Sequence, residues 1–325
     1  MNVLDRDRQR LILKLMCSHS GINDIVRVTE CSPNTVRRQL ARMGEALTAA
    51  HDRLVRGISP TRLELDELWE FVYTKRDKNL AKRDKNAKLG PRKRRPPTDR
   101  GEYYTWTALD PDSKLLVSYH TGDRSSVTAL AFMNDLNLRV TGRPLISTDG
   151  YSAYTDTIQR SFGADVDHVV MQKEIKTWRN PETGDRGSVL VELKKVPQNQ
   201  SRVDLSLAST SKVERMNATI RNFNSRFTRQ SYRFSKKLEN HLHALSIGFM
   251  YYNFARSHGG FKGQERHYSP AMKAGLTNKL WTFDDCLMKL TVIGSGSRGK
   301  RRSRLRRPRN TRPWNLVSGQ IGLIS

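Results

Sequence analysis

The order of strand-like and helix-like hydrophobic patterns in residues 61–172 constrains the fold more than any other feature of this chain. Five short apolar runs have the alternation or the bounded length of β-strands. They are residues 61–75, 102–110, 114–122, 144–150 and 167–172. Helical spacing fills two of the gaps, at about 125–137 and 151–162. The resulting β-β-β-α-β-α-β order predicts an α/β domain.

The later part of the chain is predicted to be mainly helical. Apolar residues at helical spacing indicate long helices at 211–227 and about 235–256, and shorter ones at 269–276 and 282–290. Residues 176–210 are polar and basic without a clear period, which predicts irregular structure.

A compact helical segment is predicted for residues 1–55. Ser32 is a suitable N-cap and Pro33 suits the first position of the helix that follows. The apolar residues Val36, Leu40 and Met43 would face a core, and the side chains predicted to face outward are Asn34, Thr35, Arg37 and Arg38. This pattern is typical of a helix-turn-helix that contacts DNA. An ordinary three-helix bundle or a dimerisation module would have the same apolar pattern.

Positive charge is concentrated in two tracts. The chain carries 58 Lys and Arg against 32 Asp and Glu, a formal net charge of +26. Residues 75–95 hold eleven Lys and Arg against two Asp, and residues 298–312 hold nine and no acid, so the tracts supply 18 of the 26 charges. Such tracts bind phosphates with little sequence preference. The DNA contacts predicted within them include Lys93, Arg94, Arg95, Arg301, Arg302 and Arg304.

Neither hydropathy nor cysteine content favours a membrane or secreted protein. No run of 18 apolar residues is present, and MNVLDRDRQR lacks the apolar stretch of a signal peptide. Cys17, Cys31 and Cys286 are too few and too scattered for a disulfide framework or a cysteine zinc site. The expected location is the cytoplasm, in association with the nucleoid.

Three carboxylates are candidates for a catalytic site. Asp66 interrupts the apolar strand LELDELWEF, where alternation places it on one face with Glu64 and places Glu67 on the other. Asp149 ends the strand PLISTD, and active-site groups of α/β proteins cluster at strand ends. Glu214 lies on the predicted helix at 211–227.

The helix that carries Glu214 has two distinct faces. Its apolar stripe comprises Val213, Met216, Ile220, Phe223 and Phe227. Glu214, Asn217 and Arg221 recur with the same spacing on a neighbouring face. Such a face can hold a metal ion with the acid and a phosphate with the arginine, so Asn217 and Arg221 are predicted to contact DNA. A solvated helix face has the same pattern.

The chemistry that suits three such acids is phosphodiester transfer. Negative charge develops on the attacking and leaving oxygens, and two divalent ions about 4 Å apart stabilise both. We therefore expect two Mg²⁺, with Mn²⁺ as a substitute, held by Asp66, Asp149 and Glu214. Asp66 can bridge the two ions, and water or a DNA 3′-hydroxyl is the nucleophile.

These motifs together resemble the DDE transposases of bacterial insertion sequences, and among them the IS-one type. The resemblance covers about residues 61–275 and is carried by LELDELWEFV, ISTDGYSAY, KVERMNATIRNF, YYNFARSH and SPAMKAGL. It implies a retroviral-integrase-like, ribonuclease-H-like core, which the element order suggests by analogy. It also implies that Asp66, Asp149 and Glu214 are the acidic triad and that Arg221 is the family's basic residue seven positions after the glutamate.

The resemblance implies an activity and an organisation. Such enzymes cleave transposon ends to expose 3′-hydroxyls and join these to target DNA, as homodimers or larger assemblies on double-stranded DNA. The predicted parts are a helix-turn-helix domain at 1–55, a catalytic domain at 61–275 with a basic insertion at 76–100, and a C-terminal helix with a basic tail at 276–325. The tail is expected to be disordered without nucleic acid. Many IS-one-type proteins carry a cysteine-rich zinc-binding segment before the helix-turn-helix, and this chain has no matching cysteines.

Several alternatives stay open on the sequence. Glu192 in VLVELKK is a rival third acid, and Asp167-His168 or the pair His241 and His243 could belong to a mixed metal site. The aromatic residues Trp106 and Trp178 could stack on bases. As functions, a non-catalytic DNA-binding regulator, a decayed transposase and a ribonuclease-H-like resolvase or hydrolase without joining activity are the alternatives.

Overall fold

The computed structural model describes residues 4–74, 100–179, 183–198, 203–228 and 232–294. The predicted DNA contacts in the basic insertion and the tail lie outside these residues; they are Lys93, Arg94, Arg95, Arg301, Arg302 and Arg304. No helix in the described part of the chain is long and apolar enough to cross a membrane.

A mixed sheet occupies the centre of the described structure. Its strands are β1 (Arg62–Val72), β2 (Gly101–Leu109), β3 (Leu116–Gly122), β4 (Leu145–Asp149), β5 (Asp167–Arg179) and β6 (Arg186–Pro197). The order across the sheet is β3-β2-β1-β4-β5-β6. β1 and β5 run parallel to β4, and the β1–β2, β2–β3 and β5–β6 pairs are antiparallel. The predicted α/β class is confirmed, and the topology is compatible with a ribonuclease-H-like core.

The helices surround this sheet. They are α1 (Arg6–Met16), α2 (Ile22–Thr29), α3 (Pro33–Leu54), α4 (Ser126–Asn137), α5 (Ser152–Phe162), α6 (Ser211–Phe223), α7 (Leu238–Met250), α8 (Pro270–Lys273) and α9 (Phe283–Gly294). A π-helical turn, Tyr251–Ala255, continues α7. The predicted start of α3 is confirmed, since Pro33 is its first residue and the Ser32 hydroxyl accepts a hydrogen bond from the Thr35 amide at 3.1 Å.

Strand alternation sorts the helices onto the two faces of the sheet. Trp106 of β2 is fully buried against α4 and α5, with its ring 5.3 Å from that of Tyr154 and 6.2 Å from that of Phe132. Trp106 therefore belongs to the core and is not available to stack on bases. The next residue, Thr107, points to the opposite face, where its hydroxyl lies 3.5 Å from the Asn217 side chain of α6.

The prediction of irregular structure over residues 176–210 is wrong for 176–179 and 186–197, which are strands, whereas the described residues 203–210 are irregular apart from a 3-10 turn. β5 and β6 form an antiparallel hairpin that ends only at Pro197. Most of its outer part is exposed, and we call its described residues, 172–179 and 183–194, the arm. The arm packs no face against a core, so its apolar and polar residues need not alternate. Its exposed apolar side chains are Ile175, Trp178, Val189, Leu190, Val191 and Leu193.

The predicted helix 211–227 is also shorter than expected. α6 ends at Phe223, because Asn224 adopts extended backbone angles. The Asn224 side chain then accepts a hydrogen bond from the Arg226 amide at 3.1 Å and starts a 3-10 turn at Ser225–Phe227. A side chain that caps a new turn competes with continuation of the helix.

The N-terminal helices share a continuous hydrophobic core with the sheet. α3 lies against α7 at Gly44, whose carbonyl accepts hydrogen bonds from the hydroxyls of Thr48 and Ser246. Farther along α3, the His51 ring nitrogen lies 3.3 Å from the Leu116 carbonyl of β3, and Asp52 pairs with Arg139 at 2.8 Å. The helix predicted to contact DNA is thus packed along its C-terminal half on the body of the protein.

We predict that Gly44→Ala destabilises the protein although alanine favours helix. A Cβ at Gly44 would lie 2.7 Å from the His243 Cα, so α3 and α7 must separate, at about 1–3 kcal/mol. The matched control is Gly248→Ala in α7, where a Cβ meets nothing within 4 Å and should stabilise by about 0.5–1 kcal/mol. Urea unfolding of both variants measures the free energies. The same sign of change in both variants would contradict the predicted packing.

Candidate active site

The three predicted acids converge at an open cleft of about 620 Å³, which we call the acidic cleft. The side chains and backbone that line it belong to Asp66, Glu67, Asp149, Gly150, Met171, Gln172, Lys173, Glu214, Asn217 and Arg221. The cleft exists because β4 is short. Glu64 pairs with Ser147 and Asp149 pairs with Met171, so Asp66, Asp149 and Met171 are level across the sheet. β4 stops there, while β1 and β5 continue on either side.

Glu64 attaches α6 to β1. Its buried carboxylate accepts hydrogen bonds from the backbone amides of Lys212 and Val213, at 2.7 and 3.0 Å. These are first-turn amides of α6, whose partial positive charge favours an anion. Burial nevertheless raises the pKa of Glu64, because the carboxylate is largely withdrawn from water. Glu64 is therefore a structural acid that fixes where α6 lies.

Asp66 is held by Asn217. The Asn217 amide nitrogen donates to Asp66 Oδ2 at 2.9 Å, and the Thr107 hydroxyl lies 3.5 Å from the Asn217 oxygen. Asn217 is only 3% exposed. This placement corrects its predicted role as a DNA contact, because a buried amide whose atoms face Asp66 and Thr107 orients the carboxylate and has little surface for DNA.

Asp149 and Glu214 reach the cleft from the end of β4 and from the first turn of α6. Asp149 Oδ1 accepts a hydrogen bond from the Tyr151 amide at 3.0 Å, which fixes the turn into α5. Its other oxygen lies 4.0 Å from the Arg124 guanidinium. Glu214, in the first turn of α6, accepts from the Thr210 hydroxyl at 3.0 Å and pairs with the Lys173 ammonium of β5 at 2.5 Å.

Glu67 is a further acid of the cleft that the sequence did not single out as a site residue. As predicted, its side chain leaves the opposite face of β1 from Asp66. Because β4 has ended there, Glu67 lies beside Asp149 and Tyr154, with Oε2 3.2 Å from the Arg124 guanidinium. Burial and the charge of Asp149 raise the pKa of Glu67 to about 7. The signal in the sequence was its position next to Asp66, but Arg124 and Tyr154 come near only in the fold.

Carboxylates dominate the electrostatics of the cleft. Burial, together with the charges of Asp149 and Glu214, raises the pKa of Asp66 to about 6 against the opposing Asn217 hydrogen bond. The donors are hard carboxylate oxygens, which Mg²⁺ prefers. Among the described residues no three acidic, histidine or cysteine side chains form a ready-made metal shell. Lys173 and Arg124 instead lie against Glu214 and Asp149, so an added cation must compete with these two side chains.

The other side chains predicted to contact DNA are Arg221 and four residues of α3, and their contact with DNA stays a prediction. Arg221 lines the acidic cleft one turn beyond Asn217. Asn34, Arg37 and Arg38 are exposed on the first turns of α3, and Thr35 is half-buried. Arg37 donates to the Asn34 side chain at 3.0 Å, which orders this outer face.

The rival candidates lie outside the acidic cleft. Glu192 is exposed on the arm and pairs with Lys194 at 3.1 Å. The His168 ring contacts the Thr148 hydroxyl at 2.9 Å, and burial lowers the pKa of His168 to about 4. Neighbouring Asp167 pairs with Arg143 at 2.7 Å. The structure therefore does not bring these groups together with the three acids.

The remaining candidates divide between core and arm. The His241 ring lies 2.9 Å from the Glu70 carboxylate inside the core, and His243 packs on Gly44. Neither histidine lines the acidic cleft. Trp178 is about half exposed on the arm, where its indole covers Gly187, and its contact with nucleic acid stays a prediction.

Comparison with known proteins gives no family for this chain: no family model matches it, and no curated protein is significantly similar to it.

We predict that Glu67→Gln becomes more stable relative to the wild type as pH rises. A carboxyl whose folded pKa is raised stabilises the fold below its unfolded pKa and loses this contribution as pH passes the folded value, here between about 4.5 and 7. The relative gain should be about 2 kcal/mol between pH 4.5 and 8. Urea unfolding with a chelator present measures it. Glu192→Gln on the arm is the matched control, and an equal pH trend in both variants would refute the prediction.

Proposed function

We propose that this protein is a DDE transposase with a ribonuclease-H-like core, which cleaves DNA at transposon ends and joins the exposed 3′-hydroxyls to target DNA. The observation that carries the proposal is the meeting of Asp66, Asp149 and Glu214, from β1, β4 and α6, in one cleft lined also by Asn217 and Arg221. The spacing of the three acids along the sequence is by itself weak support for this function. Their placement on a central strand, at a neighbouring strand end and on a packed helix is the arrangement that the resemblance implies.

Two Mg²⁺ are the ions that this cleft suits, with Asp66, Asp149 and Glu214 as their protein ligands. When bound, such ions activate a water or 3′-hydroxyl and stabilise charge on the attacking and leaving oxygens. Asn217 keeps Asp66 aimed into the cleft through its 2.9 Å hydrogen bond. Asn217 thus already orients the carboxylate that would hold the metal.

The cations of the cleft are suited to the phosphates of the substrate. Arg221 lines the cleft beside the acids, and its guanidinium can donate two parallel hydrogen bonds to a phosphate. The Lys173 ammonium neutralises Glu214 in the structure. If Glu214 held a divalent ion, Lys173 would be available to bind a DNA phosphate at the base of the arm. These residues bind and orient DNA, and no protein nucleophile is required.

Recognition of double-stranded transposon ends is assigned to the outer face of α3, with Asn34, Thr35, Arg37 and Arg38 toward base edges. The basic insertion and tail would hold the backbone non-specifically. Because two ends must be joined to one target, a homodimer or larger assembly on DNA is part of the proposal. A non-catalytic DNA-binding regulator is the alternative, and it requires DNA binding without Mg²⁺-dependent strand cleavage.

We predict that Asp66→Asn, Asp149→Asn and Glu214→Gln each lower cleavage and joining about a thousand-fold or more, because each removes a metal ligand. DNA binding should stay near the wild-type level, since no acid is removed from the predicted DNA-reading face. The assay is nicking and joining of the DNA that flanks the protein's own gene, with Mg²⁺. Glu192→Gln, the exposed rival acid, is the control and should keep full activity. Strand transfer by any of the three variants would show that the metal ligands are assigned wrongly.

We also predict that removing residues 298–325 flattens the salt dependence of DNA binding. Each tail cation that neutralises a duplex phosphate contributes about 0.9 to the slope of log affinity against log salt concentration. Fluorescence anisotropy over a salt series measures this slope for the full and shortened chains. An unchanged slope would mean that the tail does not bind the backbone.

A further inference from the structure

Another concave surface, of about 390 Å³, lies between α2, α3 and the residues that lead into α7, and we call it the basic pocket. Of the described residues that line it, the cationic ones are Arg27, Arg37, Arg226, Arg233 and Lys236. Asp24 is the acidic one. The acidic cleft and the helix-turn-helix face do not account for this surface, apart from Arg37, which it shares with the outer face of α3.

The positive charge of the basic pocket is only partly neutralised by its own lining. Asp24 is shared between Arg27 and Arg233, the latter at 3.5 Å. Arg226 bonds to the neutral hydroxyl of Ser235 at 3.4 Å, and burial alone lowers the pKa of Arg226 to about 10. A guanidinium desolvated in this way is stabilised by an anion placed against it. The pocket therefore favours a ligand with negative charge, such as a phosphate.

Aromatic side chains stand beside these cations. Tyr232 is 98% exposed at the mouth of the pocket. Phe234 lies deeper, with the Lys236 ammonium 3.6 Å from its ring centroid and the Phe71 ring 5.2 Å away. An exposed aromatic ring beside cations forms a stacking platform for a base whose phosphate meets the cations. Bases in a duplex are already stacked on each other, so this platform suits an unpaired nucleotide.

The basic pocket is joined to the acidic cleft by two rigid elements. β1 carries Asp66 in the cleft and reaches the pocket at its far end, where the Tyr73 amide donates to the Ser235 carbonyl at 2.8 Å. Six residues of strand separate Asp66 from Val72, which corresponds to about 20 Å. α6 carries Arg221 in the cleft, and Arg226 in the pocket follows three residues after its end. A DNA strand with one phosphate in the cleft can reach the pocket within a few nucleotides.

We propose that the basic pocket binds an unpaired nucleotide of a DNA strand, with the phosphate at Arg226 and Lys236 and the base stacked on Tyr232. The inference rests on the proposed function in taking DNA as the ligand, and it adds a single-strand site distinct from the duplex contacts of α3. Its role is to hold a strand that has separated from its complement near the acidic cleft.

The test compares single-stranded and duplex DNA on the full chain without metal. The probe is fluorescent twelve-residue oligothymidylate in EDTA, with a duplex of the same length beside it. Tyr232→Ala should weaken binding of the single strand about tenfold by removing one stacking contact. Lys236→Gln should lower the slope of log affinity against log salt for the single strand by about 0.7. Both residues are exposed, so the fold is kept, and duplex binding should change less than twofold.

The controls are Leu138→Ala, which removes an exposed apolar side chain elsewhere, and Arg160→Gln on α5, which removes an exposed charge on the opposite face of the sheet. Both should bind the single strand as the wild type does. Wild-type binding by Tyr232→Ala and Lys236→Gln, or an equal loss on single strand and duplex, would overturn the proposal. The binding assay requires no cleavage, so its outcome can be told apart from failure of the proposed function. Asp66→Asn, which should lose cleavage, is expected to bind the single strand as the wild type does. If the wild type showed no Mg²⁺-dependent nicking but still preferred single-stranded DNA, the proposed transposase activity would be refuted. The proposed role of the basic pocket would not be.

Discussion

The hydrogen bonds from the first amides of α6 to the Glu64 carboxylate determine how the acidic cleft is assembled. They attach the helix to β1 at one point, at 2.7 and 3.0 Å. From there, two residues of strand advance about 6.6 Å and four residues of helix advance about 6 Å. Asp66, two residues after Glu64, therefore meets Asn217, four residues after Val213, and their 2.9 Å hydrogen bond follows from this match. Glu214 and Arg221 are set on the cleft by the same anchor, because they share the helix face of Asn217.

The early end of β4 determines the electrostatics of the cleft. Where that strand stops, Asp66 and Glu67 from opposite faces of β1 both lie near Asp149, so carboxylates crowd a space that main chain would otherwise fill. Burial first, and this crowding of negative charge second, raise the pKa of Asp66 and Glu67, so ionising these two acids destabilises the fold. Arg124 and Lys173 offset part of that cost from the rim. A divalent ion, if the proposed metal site holds one, would offset more of that cost and so stabilise the fold.

The sequence predicted those elements in which one face is buried, because the buried apolar residues then recur at strand or helix spacing. β1 to β4, α3 to α5 and the common face of Glu64 and Asp66 follow from apolar residues that must meet a core. The arm was missed because both of its faces are exposed. Apolar residues such as Ile175 and Val189 therefore do not alternate regularly with polar ones. The buried role of Asn217 was missed because helical spacing alone does not show which polar face meets a strand. The place of Glu67 in the cleft depends on Arg124 and Tyr154, which are distant in sequence and near only after folding.

The packing of α3 fixes the predicted recognition face on the body of the protein that carries the acidic cleft. The helix has 22 residues, about 33 Å, and its C-terminal half is held by Gly44 against α7 and by His51 and Asp52 against the sheet and Arg139. Its first turns, with Arg37 and Arg38, project from this fixed support. DNA bound on that face therefore has a fixed path relative to the acidic cleft, unlike DNA on a reader joined by a flexible linker. Because Arg37 also lines the basic pocket, duplex on α3 and a strand leading toward the cleft would meet at one wall. Separation of the strands at that wall would then be governed by the rigid spacing between α3 and α6.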